Sequence, residues 1–211
     1  MSNNIEDKKG NYEVVRNILS SRYQEVNGYD FYRYIFPDNQ NVGELSGNYS
    51  KPNAIYLYRD EEEDPDRTYR RRIMLNDTWE DDYMNYVECN HKTLCSGLAY
   101  RDKKNRLENA QQMNALVFDL DSVGENELEN LLLRMSKKPG LRTLPEPTFI
   151  VMSGTGLHIY YVFDRPVALY PNIKLQMKAL KYDLTFKMWE YKATSKEKQI
   201  QYQSINQGFR M

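Results

Sequence analysis

The sequence predicts an α+β fold, and three observations carry that expectation. Apolar runs of strand length recur at residues 54–58, 72–75, 114–118, 148–152 and 157–163. Segments with apolar residues every three to four positions recur near 14–23, 125–135 and 172–191. The runs at 148–152 and 157–163 are joined too closely for a crossover and should pair as a hairpin. At 211 residues the chain has room for one sizeable domain with a subdomain added.

Taken in order, a polar leader gives way at Asn11, a candidate helix cap, to Val14, Val15, Ile18, Leu19 and Tyr23 at helical spacing. Phe31 to Phe36 is aromatic-rich and stops at Pro37, which suits a strand or the end of a short helix. A polar loop covers 38–52, and Ala54–Tyr58 and Arg72–Leu75 form a strand pair around the acidic block 61–66. Trp79 to Val87 reads as a short amphipathic helix, and Thr93 to Tyr100 as a strand bent at Gly97. Glu125 to Met135 is a helix with Leu128, Leu131, Leu132 and Met135 on one side. From Asn172 to about Tyr191, a long helix turns Ile173, Met177, Leu180, Leu184 and Met188 inward and its lysines outward.

Composition narrows the class. Only Cys89 and Cys95 are cysteines, which excludes a disulfide scaffold and suits a reducing compartment. Cys89-x-His91-x3-Cys95 offers three zinc-type ligands with no evident fourth. The N-terminus lacks the apolar core of a signal peptide and no apolar run is long enough to cross a bilayer, so a cytoplasmic protein with no membrane partner is expected. The net charge of -1 hides an uneven distribution: from Arg165 to Met211 there are nine basic residues and three acidic ones. That stretch could face phosphates, or be the solvated surface of a helix. Arg101, Lys103, Lys104 and Arg106 form a second small basic cluster just before the central strand.

The chemistry concentrates at Leu116-Val117-Phe118-Asp119-Leu120-Asp121. Side chains two apart on a strand share a face, so Asp119 and Asp121 should project together from its end. Paired carboxylates repel unless a cation lies between them, which makes a divalent cation the natural partner; the alternative is an acidic turn closing a strand. About thirty residues on, Ser153-Gly154-Thr155-Gly156 turns the hairpin and His158 follows in the returning strand. Glycines in such a turn expose backbone amides on which an anionic oxygen can rest. A serine, a glycine turn and an inward histidine beside a carboxylate pair suggest a nucleoside triphosphate site; the plainer alternative is a Gly-x-Gly hairpin with a satisfied histidine.

These motifs carry a resemblance. The chain resembles the archaeo-eukaryotic-type primase and primase-polymerase superfamily, in particular replication primases of plasmids, phages and integrated elements. Phe118-Asp119-Leu120-Asp121 matches its first motif and Ser153-Gly-Thr-Gly-Leu-His158-Ile-Tyr its second. The third motif supplies another metal-binding aspartate; here the counterpart is Asp183, which departs from the pattern by lying inside the long helix. Gln207-Gly-Phe-Arg210-Met is similar to the start of a further phenylalanine-arginine segment, so a boundary cut beside a functional motif is expected at the end of the chain.

The resemblance implies a primase-like catalytic domain with an RRM-like antiparallel sheet over residues 90–211 and an N-terminal α/β subdomain over 1–89. It implies template-directed nucleotidyl transfer by two Mg2+ or Mn2+ ions about 3.5–4 Å apart. Asp119, Asp121 and Asp183 would hold the metal, with Asp119, Asp121 and His158 catalytic. Ser153, Gly154, Gly156, His158 and Arg210 would bind an NTP or dNTP. Arg101, Lys103, Lys104, Lys174, Lys178 and Lys181 would contact a single-stranded DNA template, with a replicative helicase as a possible partner.

Two rivals remain at this stage. A haloacid-dehalogenase-like phosphatase also has Asp-x-Asp after an apolar strand, but it favours Gly-Thr next, where this chain has Ser122-Val123. A primase-fold nucleic-acid-binding or interaction protein without catalysis is the other.

Overall fold

A computed structural model describes residues 3–37, 51–59, 68–74, 83–89, 92–101, 104–136, 140 and 143–211. The elements are α1 (Asn3–Arg22), α2 (Gly28–Ile35), β1 (Lys51–Arg59), β2 (Thr68–Met74), a π-helical turn (Tyr83–Glu88), β3 (Lys92–Cys95), β4 (Leu98–Tyr100) and β5 (Ala110–Leu120), followed by α3 (Glu125–Met135), β6 (Phe149–Met152), β7 (Leu157–Ala168), α4 (Pro171–Met188) and β8 (Phe209–Arg210). This is a mixed α+β fold with an antiparallel sheet.

Two compact units divide the chain: Met1–Glu25, Val117–Val162 and Gln176–Gln203 form one, and Val26–Leu116, Phe163–Leu175 and Ser204–Met211 the other. The expected boundary between residues 89 and 90 does not coincide with this division. β5, β7 and α4 each pass from one unit into the other, so no single cut in the chain separates them.

In the second unit, β1 and β2 pair from Asn53 opposite Met74 to Arg59 opposite Thr68. β1 also pairs with β3 through Ile55–Leu57 and with β4 through Lys51 and Pro52. β3 and β4 are therefore one strand broken at Ser96-Gly97, as the glycine suggested. Gly97 is required there because a Cβ would run into the Ala115 carbonyl oxygen, and its own carbonyl accepts from the amides of Asn114 (2.9 Å) and Ala115 (3.1 Å). The segment before Pro37 resolves as helix α2, because the Asn27 side chain accepts from the Asp30 amide at 2.8 Å and caps it. Phe31, Tyr32 and Ile35 are buried on that helix. β8 pairs with β3, with Arg210 opposite Leu94. The acidic block 61–66, most of the loop 38–52, Lys103 and His91 lie outside the described residues, as does the first part (79–82) of the expected Trp79–Val87 helix, whose remainder falls in a π-helical turn, Tyr83–Glu88.

In the first unit, the end of β5, the start of β7 and β6 are neighbours in the order β5, β7, β6. β6 and β7 pair as the expected hairpin, with Val151 opposite His158. Leu128, Leu131, Leu132 and Met135 of α3 are buried together with Phe118, Leu120, Leu157 and Ile159, as the helical spacing predicted. Helix α1 begins at Asn3, upstream of Asn11. Asn11 caps nothing; its side-chain amide donates to the Val123 carbonyl at 3.2 Å. β7 runs past Pro166 to Ala168, and β6 ends opposite Tyr160 and Leu157, leaving the later half of β7 an edge on that side, where a proline is tolerated.

The buried side of α4 corrects the expected pattern. Lys181, Thr185 and Met188 are the buried residues, whereas Leu180 is 39% exposed. Ile173, Met177 and Leu184 are half-buried and Met188 is buried, as the stripe read in the sequence has it; Leu180 departs from it, and Lys181, expected to face outward, is buried instead.

Candidate functional site

The backbone after β5 is fixed from several sides within the first unit. Ser153 N–H donates to the Gly156 carbonyl at 3.0 Å and Gly154 takes φ +97°, closing the hairpin turn. Gly156 serves a different purpose: a Cβ there would run into the Leu120 carbonyl oxygen. The turn thus docks directly on the end of β5, and Val123 N–H donates back to the Thr155 carbonyl at 3.0 Å. On the other side, Ser195 Oγ donates to the Asp121 carbonyl at 2.7 Å and Lys196 N–H to the Ser122 carbonyl at 3.0 Å. Ser122 is held at φ 54°, a left-handed conformation costing about 1–2 kcal/mol for a residue with a Cβ. Its hydroxyl donates to Glu197 Oε1 at 2.7 Å.

Gln203 completes the frame. Its side-chain oxygen accepts from the Asp119 amide at 3.4 Å and its nitrogen donates to the Asp119 carbonyl at 3.2 Å, filling both backbone positions of that residue. Ser195 and Gln203 carry no local sequence signal, and the one at Asn11 pointed to a helix cap that it does not form. Each is a common polar residue whose partner is distant in the chain.

The side chains in this frame form a charged, partly desolvated cluster. His158 Nε2 lies 3.6 Å from Asp119 Oδ1. Burial pushes the Asp119 carboxyl up to about 6, the Asp121 charge adds to the rise, and the Lys181 ammonium opposes it. Burial pushes His158 down to about 4, so the imidazole is neutral at pH 7 and the contact with Asp119 is not an ion pair. Lys181, 1% exposed, is held down at about 7 by burial, against the pull of Asp119, and its Nζ lies 5.9 Å from the centroid of the Phe118 ring. A lysine in the interior needs a counter-charge, and Asp119 is the carboxylate that favours its charged form.

Of the expected site residues, the structure brings Asp119, Asp121 and His158 together with the Ser153–Gly156 turn. Ser153 and Gly154 are exposed at the tip. Asp183 is a different matter. It is exposed on α4, two positions from the inward-facing Lys181, and no three His, Cys, Asp or Glu side chains among the described residues are grouped to hold a metal. Lys181 likewise does not present its charge to a template, because it is buried against Phe118. Lys174 donates to the Glu108 carbonyl at 3.2 Å in the second unit, where Arg101, Lys104 and Arg210 are exposed. Cys95 is buried with its thiol pushed up to about 12, which suits a structural cysteine and not a zinc thiolate.

A divalent cation fits the acidic pair. Asp119 Oδ1 is buried and accepts no hydrogen bond from the described residues, so one acceptor is left open in the cluster. Two carboxylates suit Mg2+ or Mn2+, which take part of their coordination from water and substrate phosphates. The antiparallel pairing of β4 with β5 does not suit the parallel crossovers of a haloacid-dehalogenase-like phosphatase.

No family model, curated protein or solved structure matches the chain. No helix among the described residues is long and apolar enough to cross a membrane.

Proposed function

We propose that the chain is a nucleotidyltransferase of the primase-polymerase kind, extending a strand on single-stranded DNA from NTP or dNTP with Mg2+ or Mn2+. One observation carries the proposal: the Gly156 turn docks on Leu120 and sets His158 Nε2 3.6 Å from Asp119 Oδ1, beside Asp121. The antiparallel sheet is compatible with an RRM-like catalytic core.

Asp119 and Asp121 would hold the cation. Bound there, it would lower the pKa of an attacking 3′-hydroxyl and offset charge on the departing pyrophosphate. The chain's own groups prepare the site. With its carboxyl near 6, Asp119 is mainly ionised at pH 7, and the Lys181 ammonium favours that state. His158, neutral, can donate one hydrogen bond to a phosphate oxygen without adding charge. The exposed Ser153 hydroxyl and the turn at Gly154 offer further phosphate contacts. Clamping of the Asp119 peptide by Gln203 and of the Asp121 carbonyl by Ser195 preorganises the two carboxylates.

The test is template-dependent incorporation of labelled nucleotide with Mg2+ or Mn2+, alongside calorimetric titration of nucleoside triphosphate with and without cation. The chain should incorporate nucleotide, and Asp119→Ala should reduce incorporation to background. Cation-dependent nucleotide binding without incorporation would favour a binding module with this architecture. Absence of both in the folded chain would sink the proposal.

A further inference from the structure

Two pairs of adjacent residues in the first unit divide their duties in the same way. Lys181 is buried beside Asp119, while Tyr182, the next residue of α4, is 50% exposed. Gln203 clamps the Asp119 peptide, while Tyr202 before it is 43% exposed. The rings of Tyr182 and Tyr202 meet in a near-parallel stack, with centroids 4.6 Å apart and planes 11° from parallel. Phe186 follows Tyr182 by one helical turn, on the same side of α4, and is 64% exposed. Three partly exposed rings thus lie on these two segments, Tyr182 one residue along from Lys181, which feels the Asp119 charge, and Tyr202 one residue before Gln203, which clamps the Asp119 peptide.

The surrounding charge selects the partner. Lys178 precedes Tyr182 by one turn, and Lys198 precedes Tyr202 by four residues. Lys192 and Lys198 both lie over the exposed ring of Tyr191, at 5.5 and 5.9 Å from its centroid. Among the nearby acids, Glu190 is turned to Arg134 at 3.3 Å and Glu197 accepts from Ser122 at 2.7 Å. Asp183 is the acid of α4 itself and is exposed. Stacked rings on segments that also carry Lys178, Lys192 and Lys198 fit a polyanion that also carries planar apolar groups. That description is met by a single-stranded nucleic acid, whose unpaired bases stack on aromatic side chains while its phosphates meet lysines.

We propose that Tyr182, Tyr202 and Phe186 form a stacking platform for the bases of a single-stranded nucleic acid, with Lys178, Lys192 and Lys198 meeting its phosphates. The platform needs binding alone, so it stands independently of nucleotidyl transfer at Asp119.

Fluorescence anisotropy of the full chain with a labelled oligothymidylate, and with an abasic strand of equal length, tests this without divalent cation or nucleotide. Tyr182→Ala and Tyr202→Ala should each weaken oligothymidylate binding about five- to a hundredfold and leave abasic-strand binding unchanged. Tyr182→Phe and Tyr202→Phe should restore it, and circular dichroism should show all variants folded. Equal weakening on both strands, no weakening, or no binding by the unaltered chain overturns the platform. It is also overturned if Tyr182→Ala abolishes self-association in sedimentation or adhesion to anionic phospholipid vesicles while oligothymidylate binding is unchanged. Tyr182→Ala and Tyr202→Ala are also assayed for incorporation at saturating template, so loss of stacking and loss of incorporation are read separately.

Discussion

The two sides of α4 invert the usual helix. The buried side carries Lys181 at its centre, and the exposed side carries Tyr182 and Phe186. Burying an ammonium needs a counter-charge, and leaving a large aromatic residue in water forgoes about 1.5–3 kcal/mol of burial. Both choices oppose stability. The buried side shows why a charge can be kept inside: Lys181 lies in the field of Asp119, which in turn is crowded by Asp121. The exposed side has no such internal reason, because Tyr182 stacks on Tyr202 and both rings remain half in water. Departures from the folding pattern tend to collect where a protein acts, and here both fall on α4, the buried one in the field of Asp119 and the exposed one in the proposed stacking face.

The sharpest way to break this comparison is to remove a carboxylate. Asp121→Ala should lower nucleotide incorporation to background while oligothymidylate affinity changes less than twofold. Parallel loss of binding, measured by anisotropy, would show that the two sides are not separate.

Gly156→Ala comes next. A Cβ has no room against the Leu120 carbonyl, so the hairpin tip must move off β5, which costs about 1–3 kcal/mol of stability. A fall of several degrees in Tm is expected, with impaired incorporation and unchanged oligonucleotide binding. An unchanged Tm would mean that the turn is not docked as described.

A pH series isolates the buried lysine. Asp119 has its carboxyl raised from 3.8 to about 6, so its contribution to stability is present below the unfolded value and is lost as pH rises through about 6. Lys181 has its ammonium lowered from 10.5 to about 7, so its contribution is present above the unfolded value and is lost as pH falls through about 7. Lys181→Met removes the second loss and deepens the first. Relative to the unaltered chain, the variant should therefore be more stable at pH 5 than at pH 8, by on the order of 1 kcal/mol. Urea unfolding at the two pH values measures it, and a pH-independent difference would contradict the coupling. The smallest effect belongs to the half-buried Lys178: Lys178→Ala should lower the slope of log affinity against log salt by about one unit and leave incorporation at saturating template unchanged.

Much of this molecule is legible locally. Apolar spacing located α3 with its buried Leu128, Leu131, Leu132 and Met135, and the close succession of two apolar runs located the β6–β7 hairpin. Gly97 marked the bend between β3 and β4. Alternation placed Asp119 with Asp121 at a strand end, and turn chemistry placed His158 just after the glycine turn, because a strand end and a hairpin turn are local structures; that the two meet is a long-range contact.

Other features lay beyond local pattern. Asn11 reaches Val123, Ser195 reaches the Asp121 carbonyl and Gln203 reaches the Asp119 peptide, and each is an ordinary polar side chain whose purpose exists only once the distant backbone arrives. The role of Gly156 was legible as a turn residue and proved to be one of close approach to Leu120. Asp183 shared residue type and rough spacing with a metal ligand, yet helical rotation leaves it exposed.

The sequence by itself determined the α+β class, the strand ending in two carboxylates and the glycine turn ahead of His158, because strand alternation, helical period and turn geometry act over a few residues. Only the tertiary structure decided that Lys181, and not Leu180, is buried on α4. A charged residue is taken inside according to the field it finds there, and the field at Lys181 is made by Asp119, sixty-two positions earlier in the chain.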